Sequence, residues 1–345
     1  MQITVRPLAL TLETPFKLSY GATTVRENVL VQIDDGTFTG VGEAAVVPYT
    51  GETPARVSAY LGDGALAAAL GDNALWLEDA LDRLPPGESS AARAAVDMAL
   101  HDLWGQHLGQ PLYRLWGLNP ARSSRSSFTI AMDDDEASYR ARLNVAAAQY
   151  GLIKLKLGGG DWRDDLERVR IARETVDAPL CVDANGGWSA GDGLAIVPRL
   201  AGLGVIFVEQ PVARDDVDGW RALRAGLPDE RPPLIADESV QGVDSVPPLA
   251  GLVDGINVKL AKCGGLRAAR RMIALARAYG MRVMLGCMVE SSVAVTAAAH
   301  LAPLADFADL DGNLLITNDP YRGAQIVDGV LHLPDAPGLG VTPRD

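Results

Sequence analysis

Leu180-Cys181-Val182-Asp183, Val205-Ile206-Phe207-Val208-Glu209 and Leu234-Ile235-Ala236-Asp237 are three short apolar runs, each closed by a carboxylate. The closing acids lie 26 and 28 residues apart. That is about one strand–helix repeat of a (β/α)8 barrel, whose body of roughly 250 residues holds eight such units. The strands of a barrel end on the face where active sites lie, so three acids at consecutive strand ends converge. Convergent carboxylates repel one another, and burying them without a counter-charge is costly. Three hard oxygen ligands suit Mg²⁺. Asp183, Glu209 and Asp237 are therefore the expected ligands of one Mg²⁺ per active site.

Outward from this stretch, strand-like apolar runs recur at 128–131, 152–157, 255–259, 282–285 and near Phe307, with helical stretches such as 164–175 and 265–279 between them. With the three above they make eight, which predicts an α/β barrel. Residues 1–45 read as β structure, with Asp34-Asp35-Gly36 as the turn of a hairpin. Residues 53–118 are Ala- and Leu-rich with helical periodicity, most clearly from Ser89 to Gly105. Strands followed by helices predict an α+β domain. An eight-stranded barrel has no need of the hairpin pattern at 324–331, so the end of the chain is expected to return to the first domain. The expected division is an α+β capping domain at 1–120, a modified TIM barrel at 121–320, and a C-terminal tail at 321–345 that completes the cap.

The chain has 345 residues, 48% hydrophobic and 22% charged, with a net charge of -13. This acidity argues against nucleic acid and anionic membrane surfaces as partners. No apolar run approaches the length of a membrane span, and the first residues lack the pattern of a signal peptide. Cys181, Cys263 and Cys287 are an odd count beside apolar runs, read as reduced core thiols of a cytoplasmic protein. The four histidines show no metal-ligand spacing.

Lys154-Leu155-Lys156 lies in the second run. Side chains alternate along a strand, so both lysines face one way. A solvated lysine face competes as a reading, but on a barrel strand the inward face is covered. Lys259 closes Gly255-Ile256-Asn257-Val258, 22 residues after Asp237. It belongs to the sixth run, across the barrel from the second. Two opposed amines beside a cation form a site for moving a proton: one lysine removes the α-proton of a carboxylate substrate, the other returns one on the opposite face, and the metal stabilises the enediolate between. A lysine base needs its pKa of about 10.4 lowered to roughly 7–8, and a neighbouring lysine, the cation and burial are expected to act in that direction. Lys262 reads as a loop residue, solvated or against a helix end.

Lys154-x-Lys156, Asp183-Ala184-Asn185, Glu209-Gln210-Pro211, Asp237-Glu238-Ser239 and Val258-Lys259-Leu260 followed by Cys263-Gly264-Gly265 together resemble the enolase superfamily, and within it the muconate-lactonizing-enzyme subgroup. The resemblance covers nearly the whole chain. It implies Lys156 and Lys259 as the acid/base pair, Lys154 as a catalytic lysine beside the substrate carboxylate, and Asn185, Glu238 and Glu290 as groups that orient ligands and lysines. Glu290 has a second reading, an acid at a helix N-terminus. Asp309-Leu310-Asp311-Gly312 resembles the Asp-x-Asp with which dipeptide epimerases hold the substrate's α-ammonium. Two carboxylates in a barrel mouth would attract a cation; the competing reading is that one of them caps the next turn.

The implied activity is Mg²⁺-dependent epimerisation at the C-terminal residue of a dipeptide. The alternatives within the subgroup are N-acylamino acid racemase, o-succinylbenzoate synthase or cycloisomerase. Specificity is expected from cap loops at 17–26 and 46–52, with Tyr20 and Arg26 as substrate-binding residues. Lys17 and Arg26 flank the first loop but its middle holds no cation, so an Ala-Glu substrate and a dipeptide with an uncharged second side chain are both open. The expected partners are a dipeptide and other copies of the chain.

Overall fold

The computed structural model describes residues 1–18, 21–46, 48–71, 73–85, 87, 89–131 and 135–344, without the side chains of 15–18, 21, 22 and 48. The chain opens with an antiparallel sheet of β1 (Gln2–Leu18), β2 (Gly21–Asp34) and β3 (Thr39–Ala44) in the order β1-β2-β3. The turn between β2 and β3 is built as its residues require. Gly36 has φ +90°, and its N–H donates to Asp34 Oδ1 at 2.8 Å. Helices α1 (Pro54–Leu61), α2 (Gly64–Leu70), α3 (Leu77–Asp82), α4 (Ser90–Leu108) and α5 (Leu112–Leu115) follow.

The core of this cap forms where β3 lies directly on α4. A Cβ at Gly42 would stand 1.9 Å from Ala95 O, and one at Gly40 would stand 2.1 Å from Ala99 O. Ser89 caps α4, its side chain accepting from Ala92 N. The helix does not stop at Trp104-Gly105 as the sequence suggested but runs to Leu108, ending on a left-handed Gly109. Gly105 is a contact point rather than a terminator: a Cβ there would meet Gly338 Cα at 2.5 Å.

Eight parallel strands then form one sheet in sequential order: β4 (Phe128–Ile130), β5 (Ile153–Lys156), β6 (Leu180–Asp183), β7 (Val205–Glu209), β8 (Leu234–Ala236), β9 (Gly255–Lys259), β10 (Arg282–Gly286) and β11 (Phe307–Asp309). Contact between the first and last strands nearly closes the ring, through a Ser126–Ala308 bridge and Ser127 N–H donating to Ala308 O at 2.9 Å. Around it run α6 (Glu136–Tyr150), α7 (Trp162–Thr175), α8 (Ala190–Gly202), α9 (Val217–Gly226), α10 (Val246–Leu249), α11 (Leu260–Cys263), α12 (Leu266–Ala278) and α13 (Ser292–Ala299). The fold is therefore a modified TIM barrel with an N-terminal α+β cap.

Strand alternation separates an apolar plug from a charged layer. Leu152, Cys181, Phe207, Ile235 and Met284 pack together inside the barrel, with Phe307 against them. Two residues further along the same strands, on the same side, come Lys154, Asp183, Glu209, Asp237, Gly286 and Asp309. Gly158, just past β5, marks a close approach of backbones, since a Cβ there would lie 2.0 Å from Ala184 O.

The C-terminal segment contains β12 (Tyr321–Arg322) paired with β15 (Thr342–Pro343), and the expected hairpin of β13 (Gln325–Val327) and β14 (Val330–His332). It touches both parts of the molecule. Gly329 at the hairpin tip faces the barrel side, its O accepting from Ser126 N at 2.9 Å. Leu339 N–H donates to Asp102 Oδ1 of α4 at 2.8 Å. The chain already meets β1 before residue 321, where Glu13 N–H donates to Leu315 O and Thr317 N–H to Thr11 O, both at 2.9 Å. Among the described residues no helix is long and apolar enough to cross a membrane.

Candidate active site

Asp183 and Glu209 are the last residues of β6 and β7, and Asp237 follows β8 directly. Their backbone positions are fixed by the motifs around them. Gln210, buried and at φ +37°, accepts through Oε1 from Asp237 N at 2.8 Å and Ser239 N at 3.1 Å, tying the Glu209-Gln210-Pro211 turn to the Asp237-Glu238-Ser239 turn. All three acids are at most 1% exposed, and one carboxylate oxygen from each lies within 4.8 Å of the others.

The side chains around them divide in two. Lys154 Nζ lies 3.0 Å from Asp183 Oδ2, 2.6 Å from Glu209 Oε2 and 2.7 Å from Asp309 Oδ2. Lys156 Nζ donates to Asp183 Oδ2 at 2.7 Å, and Lys259 Nζ to Asp237 Oδ2 at 2.8 Å. From the other side Asn185 N–H donates to Asp183 Oδ1 at 2.9 Å, Asn257 Nδ2 to Glu209 Oε1 at 2.7 Å and Lys262 Nζ to Asp237 Oδ1 at 2.6 Å. Asn185 Nδ2 also bridges Asp183 Oδ2, at 3.3 Å, and Glu238 Oε1, at 3.1 Å.

Burial raises the Asp183 carboxyl, but Lys154 and Lys156 outweigh it and bring its pKa to about 2. Asp237 falls well below the usual range because Lys259 and Lys262 outweigh its burial. Glu209 is the strained member. Burial and then the Asp183 charge push it up to about 8, and its buried Oε2 has no hydrogen bond, Lys154 approaching it without the alignment for one. An all-oxygen donor set with an orphaned buried oxygen fits a hard divalent cation.

The lysines depart from expectation. Burial lowers Lys154 and Lys259, but carboxylates outweigh it and hold both well above the ordinary lysine pKa: Asp183, Asp309 and Glu209 around Lys154, Asp237 and Glu209 around Lys259. The expected downward shift is thus not a property of the protein's own groups.

Asp309 and Asp311 are 5% and 3% exposed. Asp309 accepts from Ser127 Oγ at 2.6 Å as well as from Lys154. Asp311 stands at the start of a short 3-10 turn but makes no capping bond to it; its Oδ2 accepts from Thr129 N at 2.7 Å, across to β4. Its Oδ1 lies 4.0 Å from Cys287 Sγ. Burial and the Asp309 charge, partly offset by the Thr129 N–H, raise Asp311 to about 6.

Lys154, Lys156, Asn185, Asp237, Glu238, Lys259, Asp309 and Asp311 line one cavity of about 90 Å³ between cap and barrel, with Arg26, Asn28 and Tyr49 on the cap side. That cavity shares Arg26, Asn28 and Val46 with an outer cleft of about 570 Å³. Glu290, expected as an orienting group, is not among the residues that line the inner cavity. It is buried, its Oε1 accepts from Met288 N at 3.1 Å, and burial followed by the Glu43 charge raises it to about 8. Tyr20 lies outside the described residues.

Lys262 is a correction. It is 3% exposed, and its ammonium is saturated by Asp237 O, Asp237 Oδ1 and Asn257 O at 2.5, 2.6 and 3.2 Å. The single helical turn α11 brings it back to Asp237, the carboxylate that Lys259 meets through its other oxygen. Asn257 was also missed, although it sits two residues before Lys259 on the same strand face. Asn28 and Glu43 from the cap carried no signal; Glu43 accepts from Ser291 N at 3.0 Å and joins β3 to the start of α13.

Two family descriptions match the chain: "Mandelate racemase / muconate lactonizing enzyme, N-terminal domain" over residues 1–117 and "Enolase C-terminal domain-like" over 136–345. An L-Ala-D/L-Glu epimerase of Bacteroides thetaiotaomicron is 40% identical, over 99% of this chain and 88% of that one. The substrate-liganded L-Ala-D/L-Glu epimerase from Bacillus subtilis superimposes with a TM-score of 0.91 at 30% identity, covering 99% of this chain and 98% of that one. A dipeptide epimerase from Methylococcus capsulatus, complexed with Mg and the dipeptide L-Arg-D-Lys, gives 0.89 at 34% identity, again covering 99% and 98%. Barrel and cap agree with these matches across both domains, and the chain belongs to the enolase superfamily, with the domain pair of mandelate racemase and muconate lactonizing enzyme.

Proposed function

We infer that this protein is a Mg²⁺-dependent dipeptide epimerase, an isomerase that inverts the α-carbon of the C-terminal residue by two-base 1,1-proton transfer. One observation carries the reading: Lys156 from the second barrel strand, Lys259 from the sixth, Asp237 beside them, and Asp309 and Asp311 from the eighth all face one cavity. Asp183, Glu209 and Asp237 would hold the cation, which supplies positive charge where the enediolate's negative charge develops.

Lys154, buried between the metal carboxylates and Asp309, directs the substrate carboxylate inward. Lys156 and Lys259 serve opposite faces of the α-carbon, one taking a proton while the other delivers one. Asp309 is already engaged by Lys154 and Ser127. Asp311 keeps Oδ1 for the substrate ammonium. Arg26, shared by the cavity and the outer cleft, suits an acidic second side chain, which favours an L-Ala-L-Glu type of substrate over one with an uncharged side chain. In this reading residues 1–120 cap the site, 121–320 carry the chemistry and 321–345 join the two, in a cytoplasmic homo-oligomer.

The test is a panel of L-Ala-L-Xaa dipeptides and N-acetyl and N-succinyl amino acids, incubated with Mg²⁺ and resolved by chiral chromatography. L-Ala-D-Glu should appear from L-Ala-L-Glu. Faster turnover of the acylated amino acids than of every free dipeptide would replace the epimerase reading with the racemase one.

A further inference from the structure

Each metal carboxylate is divided between two kinds of neighbour. One oxygen of each meets the lysine ammoniums of the cavity: Asp183 Oδ2, Glu209 Oε2 and Asp237 Oδ2. The other is held from behind by a donor that takes no part in the cavity's chemistry: the Asn185 backbone N–H, Asn257 Nδ2 and Lys262 Nζ. The last two are locked. Asn257 is fully buried and packed so closely on Gly286 that a Cβ there would meet its Oδ1 at 2.6 Å. Lys262 spends all three of its protons on Asp237 and Asn257 O, extending the β8–β9 pairing past its last register pair, Ala236 with Ile256.

A carboxylate with one oxygen so held offers only the other to a cation. Three such ligands leave three positions in an octahedron, the arrangement Mg²⁺ demands. Ca²⁺ takes 6–8 oxygens at longer distances and often uses both oxygens of a carboxylate. To reach that number here it would have to break the bonds to Asn257 and Lys262. We propose that Asn257 and Lys262 make the cation site selective for Mg²⁺ over Ca²⁺, by confining Glu209 and Asp237 to one ligand oxygen each. Lys262 is thus a positioning residue, not an acid or base. The inference rests on the three carboxylates holding a divalent cation.

The test needs no substrate. Mg²⁺ and Ca²⁺ are each titrated against Mn²⁺ on the full chain, with free Mn²⁺ read by electron paramagnetic resonance, for the wild type, K262M and N257L. The readout is the ratio of Ca²⁺ to Mg²⁺ affinity. Losing the Lys262 charge strengthens both dications alike and cancels in the ratio, so a purely electrostatic or structural role leaves it unmoved. The wild type should bind Mg²⁺ more tightly than Ca²⁺, and each variant should shift the ratio toward Ca²⁺ by about tenfold or more, the scale of change seen when groups that orient metal ligands are removed. A wild type that prefers Ca²⁺, or a folded variant with an unchanged ratio, overturns the proposal. Should one variant fail to fold, the other and the wild type still decide. Absence of any divalent binding would instead overturn the metal-site reading itself.

Discussion

Asp311→Asn isolates the group on which substrate class turns. Its Oδ2 accepts from Thr129 N at 2.7 Å, and an asparagine can keep that bond through its own carbonyl oxygen. The amide nitrogen then takes the place of Oδ1. The change preserves shape but turns an anionic acceptor into a neutral donor, aimed at the substrate ammonium. A hydrogen bond to a charged group contributes roughly 1.5–3 kcal/mol, so kcat/KM for L-Ala-L-Glu should fall about 10- to 150-fold. The ammonium is remote from the carbon that changes and is bound alike before and during reaction, so most of the loss should appear in KM. N-acetyl-L-Ala-L-Glu presents no ammonium. It should be a poor substrate of the wild type, and the variant should treat it no worse. Initial rates by polarimetry on both substrates with both proteins give the four numbers needed. An equal loss on free and acetylated dipeptide would refute the ammonium contact and leave Asp311 as a structural bridge to β4.

Lys156→Ala and Lys259→Ala should each stop epimerisation in both directions, while the surviving lysine still exchanges the α-proton of one epimer with solvent deuterium; NMR of each epimer in D₂O checks this, and wild-type epimerisation by Lys259→Ala would remove the two-base assignment. Gly42→Ala forces a Cβ to within 1.9 Å of Ala95 O, so it should destabilise the cap by about 1–3 kcal/mol or more, read as a lowered midpoint in urea. Burial lowers His300 to about 4, its Nδ1 accepting from Tyr113 N at 3.3 Å. Between pH 6.5 and 4 the unfolded chain therefore takes up a proton that the folded one refuses, and stability is lost as pH falls. Burial moves nearby Asp102 the opposite way, up to about 6, which offsets the loss in the wild type. The stability difference between His300→Gln and wild type should consequently move in the variant's favour by roughly 3 kcal/mol from pH 7 to pH 4, measured by urea titration at each pH.

Much of this site was legible because the barrel writes its chemistry at strand ends. Asp183, Glu209, Asp237, Lys154, Lys156 and Lys259 each close or border an apolar run, and alternation alone sets their common face. The same rule reaches Asn257, two residues before Lys259, though an uncharged amide attracts no notice in a run of apolar residues. Lys262 was hidden for a different reason. Its position depends on α11, a helical turn of four residues, too short to have a periodicity. The extra turn of α4 was masked by Gly105, whose presence reflects the approach of Gly338, a residue more than two hundred positions away. Glu43 and Asn28 act across the cap–barrel seam, and no local pattern encodes a contact of that range.

The central claim is metal-dependent proton transfer at the α-carbon of a dipeptide's C-terminal residue. L-Ala-L-Glu in D₂O, followed by proton NMR with protein first stripped by a chelator and then given Mg²⁺, tests it most directly. The account predicts no exchange with the stripped protein. With Mg²⁺ restored, the glutamyl α-proton signal should decay as L-Ala-D-Glu accumulates, and the alanyl α-proton should persist. Exchange that continues after metal removal is verified by elemental analysis, or exchange at the alanyl carbon instead, would contradict it.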